Sequence, residues 1–183
     1  MRYLVSISGA SGSIYGIRLL QELKKTGHEI HLVVSENAKK ILQHETTYTY
    51  NTIKTQADVV YDNDDLFAGP ASGSYPLDGM IVIPCSMRTL SAIAHGFGDT
   101  LTSRAATCCL KEGKKVILVL RETPLALSGI TNMLVAKENG AIILPAMPAF
   151  YHKPKTIEDL VDFIIGKVFD QLSLEHTLFK RWK

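Results

Sequence analysis

Short apolar runs alternate with stretches of helical periodicity from one end of the chain to the other. Residues 3–7, 29–34, 80–84, 116–120 and 141–144 read as strands. Apolar residues run on within most of them rather than alternating with polar ones, as in strands buried on both faces of a parallel sheet. Helical spacing predicts helices over 14–25, 38–44, 90–95, 102–111, 125–139 and 156–172. Gly27 stops the first of these, and Thr123-Pro124 predicts the start of the fifth, with Thr as N-cap and Pro at the first helical position. The last helix opens on Thr156 and carries Ile157, Leu160, Val161, Ile164, Val168 and Leu172 as its apolar stripe. Residues 46–77 are polar and show neither period. A structureless loop of that length is unusual in a compact domain, so a short helix or strand is expected inside it. The alternation as a whole predicts one doubly wound α/β domain over residues 1–183, a parallel sheet of Rossmann or flavodoxin type.

Ligands of such sheets lie beyond the carboxyl ends of the strands, and the unusual residues cluster there. After the first strand come Gly9, Ala10, Ser11 and Gly12, with Gly16 four residues on. Small residues at a strand-to-helix turn let a backbone approach an anion, and the helix N–H groups can hold phosphate. The spacing is not that of the dinucleotide fingerprint, so a mononucleotide fits better; a tight turn without a ligand would use the same residues. Ser35 follows the second strand, and Pro84, Cys85, Ser86, Met87, Arg88 and Thr89 follow the third. Hydroxyls, a cation and free N–H groups there suit a phosphate or a flavin edge, and equally a Ser/Thr helix cap. Arg121 and Glu122 end a buried strand, either as a solvated pair or as an anion clamp beside an acid/base carboxylate. Pro145, Pro148 and Pro154 stiffen a loop that carries Phe150, Tyr151, His152 and Lys153. Lys167 borders the apolar stripe of the last helix, where it can snorkel to water or reach a phosphate.

Composition removes several classes of function. Apolar residues make up 46% and charged residues 21% of the 183, with a formal net charge of +2 and no basic run. Nucleic acid and anionic membrane are therefore not expected as partners. No apolar run is long enough for a membrane-spanning helix, and the N-terminal apolar stretch reads as a strand rather than a signal peptide. The three cysteines, Cys85, Cys108 and Cys109, have neither disulfide-framework nor zinc spacing, so a reducing, cytoplasmic setting and no metal are expected. Cys85 reads as a buried small hydrophobe.

The ordered set of motifs resembles the UbiX-like flavin prenyltransferases, formerly described as aromatic-acid decarboxylase subunits, over essentially the whole chain. The set runs Gly9-Ala10-Ser11-Gly12, His44-Glu45-Thr46, Ala71-Ser72-Gly73-Ser74, Pro84-Cys85-Ser86-Met87-Arg88-Thr89, Arg104-Ala105-Ala106, Leu110-Lys111-Glu112, Arg121-Glu122-Thr123-Pro124 and Pro148-Ala149-Phe150-Tyr151, closing on Arg181-Trp182. Each piece alone is weak, and the order is specific.

The resemblance implies FMN, in its reduced form the prenyl acceptor, bound between subunits by Gly9, Ala10, Ser11, Ser35, Ser86, Met87, Arg88, Thr89 and Arg104 or Arg121. It implies dimethylallyl monophosphate as donor, its phosphate held by Lys111, Arg121, Tyr151 and Lys167. Ser11, Glu45 and Glu122 match positions of proton handling, and Trp182 an active-site aromatic. It further implies a metal-independent homododecamer whose product passes to a UbiD-like decarboxylase. Lys167 stands where several relatives carry Arg, so the bidentate fork is lost there. Two rivals share the fold. An FMN-dependent cysteine decarboxylase would be expected to carry a His base near the first helix, where this chain has Ser13, Ile14 and Tyr15. A non-catalytic FMN-binding subunit would leave Lys111, Arg121, Glu122 and Tyr151 without a use.

Overall fold

The computed structural model describes residues 1–182. Among them, six strands form one parallel sheet: β1 (Arg2–Ile7), β2 (Glu29–Val34), β3 (Val59–Tyr61), β4 (Gly79–Cys85), β5 (Lys115–Leu120) and β6 (Ile142–Pro145). Their spatial order is β3-β2-β1-β4-β5-β6, the doubly wound Rossmann order. The helices are α1 (Ser13–Lys25), α2 (Glu36–Glu45), α3 (Tyr50–Lys54), α4 (Met87–Ala94), α5 (Leu101–Lys111), α6 (Leu127–Glu138) and α7 (Ile157–Leu172). No helix of the described residues is long and apolar enough to cross a membrane.

Pleating sorts each buried strand into two apolar layers. Tyr3, Val5 and Ile7 of β1, with Ile81 and Ile83 of β4 and Ile117 and Val119 of β5, pack against α1 and α7. Leu4, Met80, Val82, Val116 and Leu118 face the opposite way, onto α4, α5 and the buried Ala136 of α6. Both faces of the sheet are thus covered, which is why the strands read as unbroken apolar runs.

The unassigned stretch 46–77 contains α3, the edge strand β3 and a 3₁₀ turn at Gly69–Ala71. β3 was invisible to pattern reading because it is three residues long and only half-buried. The predicted start of the helix at Thr123-Pro124 is corrected. The Thr123 hydroxyl donates to the Glu122 carbonyl at 2.8 Å instead of capping a helix, and α6 begins at Leu127 after Ala126. Two glycines are required by geometry. Gly12 precedes α1 at φ 102°, in the left-handed region. A Cβ on Gly16 would stand 2.7 Å from the Ile83 carbonyl oxygen, so its absence sets how closely α1 lies on the sheet.

Candidate active site

The chain leaves β3 at one edge and returns as β4 beside β1, so the carboxyl ends of β1 and β4 form the switch point of the sheet. Buried Ser8 fastens these ends together. Its hydroxyl donates to the Pro84 carbonyl at 2.9 Å and accepts from the Ser86 N–H at 2.8 Å. The end of β5 joins them through Arg121, whose Nε donates to the Ser11 carbonyl at 3.1 Å. A groove opens over the three strand ends. One part, about 490 Å³, is lined by Gly9, Ala10, Ser11, Glu45, Arg121 and Glu122, with Lys40 and His44 from α2. The other, about 500 Å³, carries Ser35, Met87, Arg88 and Thr89, faced by Asp62, Asn63, Asp64 and Asp99. Gly9, Ser86 and Glu122 line both parts and make them one groove.

The two helix starts at this groove differ. At α1, the Glu45 carboxylate accepts from the N–H groups of Gly12 (2.8 Å) and Ser13 (3.1 Å). Burial pulls the Glu45 carboxyl up, but hydrogen bonds from Ser11, Gly12 and Ser13 outweigh this and hold it below the ordinary carboxylate value. The Gly12 and Ser13 N–H groups at the start of α1 are thus taken by the protein's own carboxylate, while Gly9, Ala10 and Ser11 still line the groove. At α4, Ser86 caps Thr89 N–H at 3.2 Å, which leaves the first-turn N–H groups of Met87 and Arg88 without helical partners. That start, with the hydroxyls of Ser35, Ser86 and Thr89 nearby, has the donors an anionic mononucleotide needs. An elongated groove with an open helix N-terminus on one side and Arg121 and Glu122 on the other fits FMN.

The chain matches the Flavoprotein family over residues 1–169. It is 49% identical over 182 residues to a flavin prenyltransferase UbiX of Thauera aromatica, covering 100% of this chain and 94% of that protein. The chain belongs to the UbiX family of flavin prenyltransferases. The crystal structure of AnUbiX (PadA1) in complex with FMN and dimethylallyl pyrophosphate superposes with a TM-score of 0.98 at 43% identity, covering 100% of this chain and 97% of that one. A dodecameric FMN-dependent UbiX-like decarboxylase from Escherichia coli O157:H7 gives the same TM-score, 0.98, at 43% identity with 100% of both chains covered.

The remaining UbiX-motif residues lie outside the groove of the single chain. Arg104 on α5 donates from Nε to the Ala71 carbonyl at 3.1 Å. Tyr151, beyond the carboxyl end of β6, packs edge-on against Phe163 and the exposed Trp182, with ring centroids 5.8 and 5.3 Å apart. Lys111 ends α5, just before β5 begins at Lys115, so it sits at the amino end of the sheet. Lys167 is on α7, over the other face; nearby, Lys115 Nζ donates to the Gln171 carbonyl at 2.7 Å, which places the end of α7 at the amino end as well. One chain therefore supplies Arg121 at the groove and Tyr151 at the same end of the sheet, holds Lys111 at the opposite end, and carries Lys167 one helical turn beyond Phe163, which packs on Tyr151.

Lys167 is engaged by Asp170 at 3.0 Å, and the same carboxylate receives Arg181 at 2.7 Å and His176 at 3.2 Å. Burial raises the Asp170 carboxyl, but hydrogen bonds from Arg181, Lys167 and His176 outweigh it and hold the pKa at about 2, against an ordinary 3.8. Asp170→Asn is expected to cost about 2 kcal/mol, lowering the melting temperature by about 4–8 °C at neutral pH. A depressed carboxylate stabilises above its unfolded pKa and loses that contribution as pH falls through the folded one. The gap between variant and wild type in thermal melts should accordingly be full above 3.8 and close towards 2.

Ser8 opens the first strand-end segment, 8–12, where the sequence predicts ligand contacts, whereas two other groove residues escaped the sequence reading. Asn63, whose Oδ1 accepts from the Thr102 hydroxyl at 2.7 Å, lay in the unassigned stretch. Lys40 looked like an ordinary surface lysine on α2. The cysteines offer no nucleophile: all three are buried, and burial pushes the Cys109 thiol up to about 11.

Proposed function

We propose that this chain transfers a dimethylallyl group from dimethylallyl monophosphate to N5 and C6 of reduced FMN, yielding the prenylated FMN used by a UbiD-like decarboxylase. The observation that carries this reading is the groove itself, where an open helix N-terminus faces an Arg121–Glu122 pair across the switch point. Reduced FMN supplies two nucleophilic positions, N5 and C6. Met87 and Arg88 N–H, with Ser35, Ser86 and Thr89, hold its polar end. Arg121 has one guanidinium nitrogen committed to Ser11, which fixes its plane and leaves the others to meet a phosphate. Charge on the departing phosphate is neutralised by Arg121, by Lys111 and Lys167, and by the Tyr151 hydroxyl. The Trp182 ring offers a π-face to the allylic cation. Glu122 moves the proton. Glu45 stays ionised and orients Ser11 and the start of α1, so it acts as a positioning residue rather than an acid.

Lys111 reaches such a site only from a neighbouring copy, so the active form is an assembly, a homododecamer in this proposal. The exposed Leu127, Ile130 and Leu134 form an apolar stripe on α6 that supports self-association. The buried thiols suit a reducing, cytoplasmic setting. Anaerobic incubation with reduced FMN and dimethylallyl monophosphate, followed by mass spectrometry, should show the flavin gaining one prenyl group. Parallel reactions with the diphosphate donor measure the preference between the two. No mass gain with either donor would refute the assignment.

A further inference from the structure

Two features flank this chemistry at opposite edges of the sheet, the first sharing Asp64 with the groove rim and the second adjoining Tyr151. Beyond β3, Asp64 N–H donates to Asp62 Oδ1 at 3.2 Å and Phe67 N–H to Asp65 Oδ1 at 2.9 Å, so two side chains brace a tight double turn. Leu101 N–H donates to the Asn63 carbonyl at 2.7 Å and ties the turn to α5. The product is a fixed tip on which the Phe67 ring is fully exposed, with Leu66, Asp64 and Asp65 beside it. At the other edge, the loop after β6 and the first turns of α7 shape a shallow, open depression of about 600 Å³. Phe150, Pro154, Ile157 and Leu160 make its apolar walls, with Lys153 and Lys155 among its lining residues. Among the described residues, neither lysine and neither aspartate is in an ion pair.

The tip follows edge strand β3 and the concavity follows edge strand β6, both at the carboxyl side of the sheet. Five interstrand steps separate these edges, about 24 Å at ~4.8 Å per step, so the tip does not reach its own seat. A contact between unlike edges of two copies is head-to-tail, and it closes into a ring when the rotation allows. We propose that the 64–67 tip of one copy seats in the 150–160 concavity of a second copy, Leu66 and Phe67 against the apolar wall and Asp64 and Asp65 against Lys153 and Lys155. This rests on the self-assembly reading above and adds which surfaces meet. It also brings the seat's Tyr151 loop alongside the Asp62–Asn63 rim of the tip's groove.

Sedimentation and light scattering of the FMN-loaded full chain test it. Phe67→Asp alters a solvent-exposed side chain, so circular dichroism should be unchanged while the concentration for half-assembly rises at least about tenfold. Lys153→Glu with Lys155→Glu, which leaves the Asp65 brace and the groove-lining Asp64 in place, should weaken assembly too. Wild-type protein that is monomeric throughout would sink the assembly reading itself. Wild type that assembles while Phe67→Asp or the double lysine variant assembles equally well would overturn this contact alone.

Discussion

Replacing Glu122 with Gln is expected to slow formation of the prenylated ring by about 10²–10⁴-fold while FMN still binds. Three observations make the substitution selective. Glu122 lines both parts of the groove, so it stands where donor and acceptor must meet. Its carboxylate is exposed, and Oε1 accepts from Thr123 N–H at 3.2 Å, a bond the Gln carbonyl can keep. The groups assigned to the polar end of FMN, at the start of α4, are untouched. What the amide cannot do is take up or release a proton at the working pH. Flavin titration followed by single-turnover mass spectrometry separates the two steps. Full turnover in the variant would remove Glu122 from proton transfer; lost FMN affinity would make it a cofactor-positioning residue.

Fold class was legible in the sequence because it depends on a repeating physical constraint. A strand covered on both faces is largely apolar, and such runs announced β1, β2, β4 and β5, while the half-buried edge β6 read as a strand from its Ile142-Ile143-Leu144 run. β3, the other half-buried edge, is only three residues long and lies in a polar stretch. The groove was legible in outline for a related reason: Ser11, Ser35, Ser86, Arg121 and Glu122 all follow strand ends, where the topology gathers them. Two kinds of contact were not legible. Glu45 fills the start of α1 from 33 residues away, a pairing that no local motif announces. Thr123-Pro124 has the local grammar of a helix start, but the hydroxyl is spent on its own turn, so tertiary context overrode the cap rule.

The division of the phosphate clamp leads to the second large effect. Lys111 lies at the amino end of the sheet over one face, and Glu122 at the carboxyl end, so no single chain can place both on one donor molecule. Lys111→Ala should lower turnover by about 10²–10³-fold, the scale for removing one electrostatic contact to developing charge. Its side chain is more than half exposed, its nearest counter-charge being Glu112 at 3.9 Å, so the fold has little to lose. Glu122→Gln is inactive for a different reason and in a different copy. Co-assembling the two variants from dissociated chains must therefore create sites that draw an intact Glu122 from one chain and an intact Lys111 from the other. With equal, random mixing each intact group has an even chance, so about one quarter of the sites recover full chemistry. Activity near that fraction of wild type, appearing only after dissociation and reassembly, is the expected result. Mixed assemblies as inactive as either parent would mean that Lys111 and Glu122 do not serve one site, and the cationic clamp would shrink to Arg121 and its immediate neighbours.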